Sequence, residues 1–534
     1  MQSLFFHIFI PLLIYFTKKR KGEKAMETNL TKQTVKNEQK IFCSTTETTV
    51  EGSISLKNGN GIKKLLKVGG HSVITSKTVI DKTATVEGTT TFDLIYIDTE
   101  NRFACHEHSL PFSKTLDADE ILYGSEITVQ VTEEKHCATI VNEETISLSA
   151  KIGLKICADR AVEEEIVCDI QDRDIELLYG RAEATTSMGK GEKNLIIEQE
   201  ISVGNGQPCV GGIIRRDACV VIDECKIISG KVMVKGTVKV YILYMPQEGT
   251  RPQSFEDSFV FSQLMDVDGI TEECKCDCSA EILFLDLTPK ADDEDEIRTF
   301  SVTAKLCLSV KAYCENDIAV VIDAYSTKGN CDFGTKDTVF KKIKENISER
   351  FIAKKDIEFT DGAIGSVIDL WCDVKNSVCK CDGEGIKIIG TVLINLLAYD
   401  CDGEPQCYER PIDFEYFYKS DLHLLSPEVS YSVNIPRSSY TILGANTISV
   451  SVEPQVKATL YDKCKMTVIG DVTYKEISAD ENKKSCIVLY FAEKGEKVWD
   501  IARKYNSSVQ EIKELNSVNE DVLSTSKKFI IPTK

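Results

Sequence analysis

Three segments of this chain repeat one pattern. "TATVEGTTTFDLIYID" (Thr83–Asp98), "GKVMVKGTVKVYILYM" (Gly230–Met245) and "EGIKIIGTVLINLLAYD" (Glu384–Asp400) each set Gly-Thr in a strand-like run, with a Tyr eight or nine residues after the Gly. The register extends both ways. Ile54, Ile201 and Ile357 lie 34, 35 and 33 residues before Gly88, Gly236 and Gly390. Downstream, "ISLSAKIGL" begins at Ile146, "FSVTAKLCL" at Phe300 and "ISVSVEPQV" at Ile448, at offsets of 58, 64 and 58 from those glycines. Asp169, Asp323 and Asp471 each follow 23 residues later. A period of roughly 150 residues is the size of a whole domain, too long for a solenoid unit.

Periodicity gives the class of these domains. Val232, Val234, Gly236, Val238, Val240, Ile242 and Tyr244 alternate with Lys231, Lys235, Thr237, Lys239 and Tyr241, a period of two with one wet face. Val86, Phe92, Leu94 and Tyr96 alternate with Glu87, Thr89 and Asp93 in the same way. The third segment adds Ile389, Leu393 and Leu397 on its second face, which places it centrally in a sheet or against a neighbouring domain. The recurrent Gly falls on the apolar face, the signature of a bulge or a close backbone approach. Helical patterns are sparse. Thr335–Ile347 reads as a short amphipathic helix, "GIKKLLKVGG" as a turn or two, and "GNGQP" and "GKGEK" as turns. The predicted fold is mainly β: three tandem antiparallel, sandwich- or barrel-like domains and a small βααβ module. The division is an N-terminal segment 1–40, β domains 41–172, 173–328 and 329–478, and a module at 486–534.

The module reads clearly. "CIVLYF" (Cys486–Phe491) is a strand. Val498, Ile501, Ala502 and Tyr505 at i, i+3, i+4 and i+7 form one helix face. Ser508 and Glu511 make a capping box before a second helix with Val509, Ile512 and Leu515 inward, and "KKFIIP" returns as a strand. So small a unit has little core, and Trp499 is expected to belong to it, so that Trp499→Ala unfolds the module.

A net charge of −20 excludes the basic footprint that nucleic acid or an anionic membrane requires. The 21 cysteines are scattered, many inside apolar runs such as that of Cys157 or Cys307, and read as reduced, hydrophobe-like thiols of a reducing cytosol. "CHEH" (Cys105–His108), "CKCDC" (Cys274–Cys278), "CKCDGEG" (Cys379–Gly385) and "CDGEPQC" (Cys401–Cys407) tempt a metal reading but lack the paired spacing of zinc sites. Spacing puts Cys274, Cys276 and Cys278 on one face of a strand. No phosphate-cradling loop and no nucleophile elbow occurs, so the chain reads as non-enzymatic, with no catalytic residue, metal or cofactor. The run "MQSLFFHIFIPLLIYF" is shorter than the about 20 residues of a membrane span, and lacks a positive n-region and a small-residue cleavage site. The preferred reading is a natural start at Met26; a short anchor and a signal peptide are the alternatives.

The tripled unit, Ile54–Tyr474, resembles the SPOCS domain of spore-coat proteins in endospore-forming bacteria. The module resembles a LysM domain through Gly495, Val498, Trp499, Ile501, Ala502, Tyr505, Ile512, Leu515, Asn516, Ile531 and Pro532. The LysM resemblance implies a groove for N-acetylglucosamine polymers between two loops. Both loops depart from the family's preference: Gly495-Glu496-Lys497 stands for Gly-Asp-Thr, and Thr525-Ser526-Lys527 for Pro-Gly-Gln. Together the two resemble SipL-like coat morphogenetic proteins of clostridial-type spore formers. That implies a scaffold in the mother-cell cytoplasm at the forespore surface, joined to the coat ATPase SpoIVA through the LysM module and to other coat proteins. The alternative is an envelope protein that binds peptidoglycan. Glu496, Lys497, Trp499, Lys504, Ser526 and Lys527 are the partner-binding candidates. Gly495, Trp499, Ile501, Tyr505, Leu515 and Asn516 are expected to hold the module's fold.

Overall fold

The computed structural model describes residues 30–533, except 57–60, 205, 250, 293–295, 329–330, 360–363, 382–384, 421–426 and 475–485. The expectations for Met1–Ala25 lie outside the described residues. The first group of strands is β1 (Leu30–Ser55), β2 (Ile62–Ile80), β3 (Thr83–Asp98), β4 (Phe103–Asp117), β5 (Glu126–Asn142) and β6 (Thr145–Ile170). The second is β7 (Ile175–Ser202), β8 (Val210–Ile228), β9 (Lys231–Pro246), β10 (Gln253–Asp266), β11 (Lys275–Ala291) and β12 (Ile297–Ser326). Each group makes two three-stranded antiparallel sheets, ordered β1-β6-β5 and β2-β3-β4, then β11-β12-β7 and β10-β9-β8. Strand starts at Leu30, so residues 30–40, expected to precede the first domain, are part of its longest pairing.

The third group repeats this order with interruptions. β13 (Cys331–Arg350) and β14 (Ala353–Glu358) stand for β1. β15 (Ile364–Cys381), β16 (Gly385–Asp400) and β17 (Pro405–Lys419) form a sheet in that order. β18 (Pro427–Asn434) and β19 (Ser438–Ile442) stand for β5, and β20 (Thr447–Val452) and β21 (Gln455–Tyr474) for β6. Pro436 and Pro454 fall at these breaks, where a residue without an N–H cannot continue a ladder.

The spacing landmarks of the sequence are cross-strand partners. Ile54 faces Ile146, Ile201 faces Phe300, and Ile357 faces Ile448. From there one face of each central strand runs inward. Phe300, Val302, Ala304, Leu306, Leu308, Val310 and Ala312 do so on β12, against Val232, Val234, Val238, Val240, Ile242 and Tyr244 of β9. The first and third groups bury the equivalent residues in cores of their own. The repeated glycines are explained by close approach. A Cβ on Gly88, Gly236 or Gly390 would sit 2.3, 2.7 or 2.5 Å from the ring of Phe112, Phe261 or Phe414. It would also lie 2.6 Å from a carbonyl on the other neighbouring strand, that of Val73, Val221 or Asn376. Register shifts lie beside each glycine, so both parts of the expectation hold.

The three groups meet through equivalent residues. Ile95, Leu243 and Leu397, each seven residues after its glycine, share one buried cluster. Ile166, Val320 and Val468, three residues before the landmark Asp, share a second. Val167, Val321 and Ile469 share a third. The groups thus meet at the same repeat positions, with the paired ends of β1/β6, β7/β12 and β13/β21 as three arms. Polar ties cross the same junctions. Lys67 bonds Asn395 Oδ1 at 2.7 Å and pairs with Glu409. Arg215 pairs with buried Asp369 at 3.1 Å and lies over the Trp371 ring, while Tyr241 donates to the same carboxylate at 2.7 Å.

Four local expectations are corrected. Thr335–Ile347 lies within strand β13, "GIKKLLKVGG" opens β2, and Gly189–Lys193 continues β7. Gly189 and Gly191 serve contact there: a Cβ would meet Val267 at 2.7 and 3.3 Å. Not all cysteines are reduced. Cys43 bonds Cys157 across β1 and β6, and Cys274 bonds Cys314. Cys43 and Cys157 are direct cross-strand partners, which brings their Cβ atoms together. Among the described residues, no group of three His, Cys, Asp or Glu is placed to hold a metal, and no helix is long and apolar enough to cross a membrane.

Candidate functional site: the C-terminal module and its seat

β22 (Cys486–Ala492), α1 (Val498–Lys504), α2 (Val509–Asn516) and β23 (Lys527–Thr533) build the module, with β22 and β23 paired antiparallel. Its core is Ala492, Val498, Ile501, Ala502, Ile512, Val518, Leu523, Phe529 and Ile531, joined by the buried Tyr325 of β12. Gly495 has φ +92°, the left-handed region that favours glycine, and its N–H bonds Leu523 O at 2.8 Å. Asn516 pins α2 to β23. Its side-chain amide donates to Ile512 O and Ile530 O, and its Oδ1 accepts from Ile530 N at 2.7 Å. Tyr505 packs edge-on against Tyr490 at 5.7 Å.

Two fold expectations fail. Leu515 is 56% exposed, because α2 turns only Ile512 fully inward. Ser508 is the N-cap in extended conformation, but its hydroxyl makes no cap bond.

Trp499 is half-buried and packs against the module's core. It stands at the margin of the module's core and faces β12. Its Nε1–H donates to Asp323 Oδ2 at 2.9 Å, and Arg503, one helical turn on, pairs with the same oxygen at 2.7 Å. Tyr325 packs edge-on against the indole, with centroids 5.0 Å apart. The Tyr325 hydroxyl donates to Ser507 O at 2.7 Å in a buried bond, and burial raises its phenol pKa. Trp499 is therefore the joint between the module and the second arm. Its loss removes packing from the module's core and from the seat together.

The remaining candidates cluster around the two loops. Glu496 is folded back: Oε1 accepts from Tyr490 OH and Oε2 from Glu493 N, both at 2.8 Å. The bond to Glu496 raises the pKa of the Tyr490 phenol. Ser526 Oγ accepts from Lys494 N at 3.1 Å. Lys527 Nζ reaches Asn516 O at 2.8 Å, at the C-terminal end of α2 where a cation is favoured. Lys504 lies over the rings of Tyr490 and Tyr505, at 5.1 and 5.5 Å. Lys497 is exposed, and its backbone bridges Val522. The two loops are zipped together. Besides Gly495 N to Leu523 O, Leu523 N bonds Glu496 O at 2.9 Å and Val498 N bonds Asp521 O at 2.9 Å. These backbone groups are spent on each other.

Sequence reasoning missed Asp323 and Tyr325 as a site. Asp323 was visible as a landmark shared with Asp169 and Asp471. The usable signal was two residues on, where Tyr325 replaces the Gln171 and Thr473 of the other copies.

The family described as SipL, SPOCS domain matches residues 61–141 and 209–290, and the LysM domain matches 492–532. The two SPOCS segments span β2 to β5 and β8 to β11. No curated protein and no solved structure matches the chain. Both are non-catalytic domain types. The chain thus has the domain content of a SipL-like, sporulation coat-related protein, with SPOCS segments followed by a LysM domain of the peptidoglycan-binding type.

Proposed function

We propose that this chain is a non-enzymatic scaffold of spore-coat assembly. It acts in the mother-cell cytoplasm at the forespore surface, binds the coat ATPase SpoIVA through its LysM domain, and so drives coat encasement of the developing spore. Residues 329–478 serve as a third SPOCS-like domain beside 41–172 and 173–328. The observation that carries the reading is the outer face of the LysM sheet. Ile487, Leu489 and Phe491 alternate there with inward residues and are 74, 55 and 74% exposed, with Ile530 facing Leu489. A contiguous apolar strip of this kind suits a protein surface better than a hydrated glycan. Glu496, Lys497, Lys504, Ser526 and Lys527 flank the module as further contact candidates, and Trp499 becomes available when the module leaves its seat.

Capture of SpoIVA by the full chain and by a chain lacking 486–534 tests the proposal. Binding is expected to disappear with the module; equal capture by both would refute LysM-mediated docking. The LysM match supports a second reading, peptidoglycan binding. The zipped loops speak against it, and absence of co-sedimentation with purified cell wall would remove it.

A further inference from the structure

The sandwich of the second group carries a thiol pair with no role in the function above. β8 and β11 are edge strands of its two sheets. Cys225 on β8 and Cys276 on β11 both pack, half-buried, on the core of the sandwich. Their sulfurs are 3.3 Å apart, with Cys225 donating to Cys276. Of the neighbouring sulfurs, Cys274 is bonded to Cys314, and Cys278, a free thiol at 8% exposure, is also within hydrogen-bond reach of Cys225.

The geometry points to Cys225 and Cys276 as an oxidisable dithiol that closes to a disulfide and ties the two sheets of the sandwich at one edge, with a low-molecular-weight disulfide as oxidant. Cys276 attacks first. The hydrogen bond from Cys225 lowers its thiol pKa, whereas donating to Cys276 and Cys278 raises that of Cys225. The Cys276 thiolate attacks one sulfur of glutathione disulfide, forms a mixed disulfide and expels one glutathione thiolate. Cys225 then loses its proton to solvent, attacks the Cys276 sulfur and expels the second glutathione thiolate. Two protein thiols are oxidised and one glutathione disulfide is reduced to two thiols. The bond closes a loop between residues 51 apart in sequence, which restricts the unfolded chain and stabilises the edge.

The test is to treat the full chain with glutathione disulfide, alkylate the remaining thiols, and map the peptides by mass spectrometry. The wild type should yield a linked Cys225–Cys276 peptide and a higher thermal midpoint than the untreated chain. Cys225→Ser should stop at the glutathione adduct on Cys276, and Cys278→Ser should still form the link. The inference is overturned if wild-type Cys225 and Cys276 are both recovered alkylated. A link from either of them to Cys278 instead, or a stable glutathione adduct on wild-type Cys276, overturns it equally.

Discussion

The junctions among the three β groups and the seat of the LysM domain use the repeat in opposite ways. At the junctions, residues at the same repeat position meet: Ile95 with Leu243 and Leu397, and Ile166 with Val320 and Val468. At the seat, one copy departs from the other two. All three arms carry the landmark Asp, but Asp169 accepts from Tyr179 of the second arm, and Asp471 packs where a Gly334 side chain would stand. Only Asp323 is joined by a tyrosine two residues on, and only there does Trp499 sit. Shared positions hold the body together, and a single divergent position chooses which arm carries the module.

Four substitutions separate the two kinds of contact. The largest effect is expected at a junction. Arg215→Ala leaves the Asp369 carboxylate buried without its cation and should cost about 3–5 kcal/mol in denaturant unfolding of the β body. The LysM domain should keep its place on β12. Tyr325→Ala should do the reverse, removing about 2–4 kcal/mol from the docked state while the body's unfolding midpoint stays unchanged. NMR relaxation should then show a folded LysM domain tumbling on its own. If that domain unfolds as well, the seat is part of its core, and the contrast drawn here fails.

A smaller, pH-dependent effect is expected at Glu428, which pairs with Lys341 and Lys463 at 3.0 Å and reaches Lys40 on the first arm. Burial alone would raise its pKa, but the hydrogen bonds and charges of Lys463 and Lys341 prevail and hold it at about 2, against an ordinary 4.5. A depressed carboxylate stabilises the fold above its unfolded pKa and loses that contribution as pH falls from about 4.5 towards 2. Glu428→Gln should therefore flatten the acid limb of stability in that window and lower stability at neutral pH. Last comes Arg503→Ala. Its ion pair with Asp323 is exposed on the arginine side, and its loss should weaken docking by less than about 1 kcal/mol.

Much of this architecture is legible in the sequence, because period-two alternation and constant spacing survive in every copy. What was misread has local causes. Thr335–Ile347 looks helical because a register shift between Ile343 and Glu345 puts Phe340, Ile343 and Ile347 inward at spacings of three and four. Gly189 and Gly191 look like a turn because glycine marks both turns and places where another strand presses close. Trp499 packs against the module's core, but its family pattern does not say which surface covers its other side, and that surface, Asp323 with Tyr325, lies far away in the chain. The LysM fold residues were readable for the opposite reason: Ile501, Ala502 and Ile512 are buried within their own short segment. Leu515 had the right spacing, but α2 ends at the next residue, and its side chain falls outside the sheet's cover.

The central claim, a coat scaffold that works through its LysM domain, is tested most directly by imaging fluorescent fusions in sporulating cells, with and without residues 486–534. The prediction is a ring of signal encasing the forespore for the full chain, and loss of encasement for the shortened one. A septal or vegetative-wall signal, or encasement that persists without the module, would contradict it.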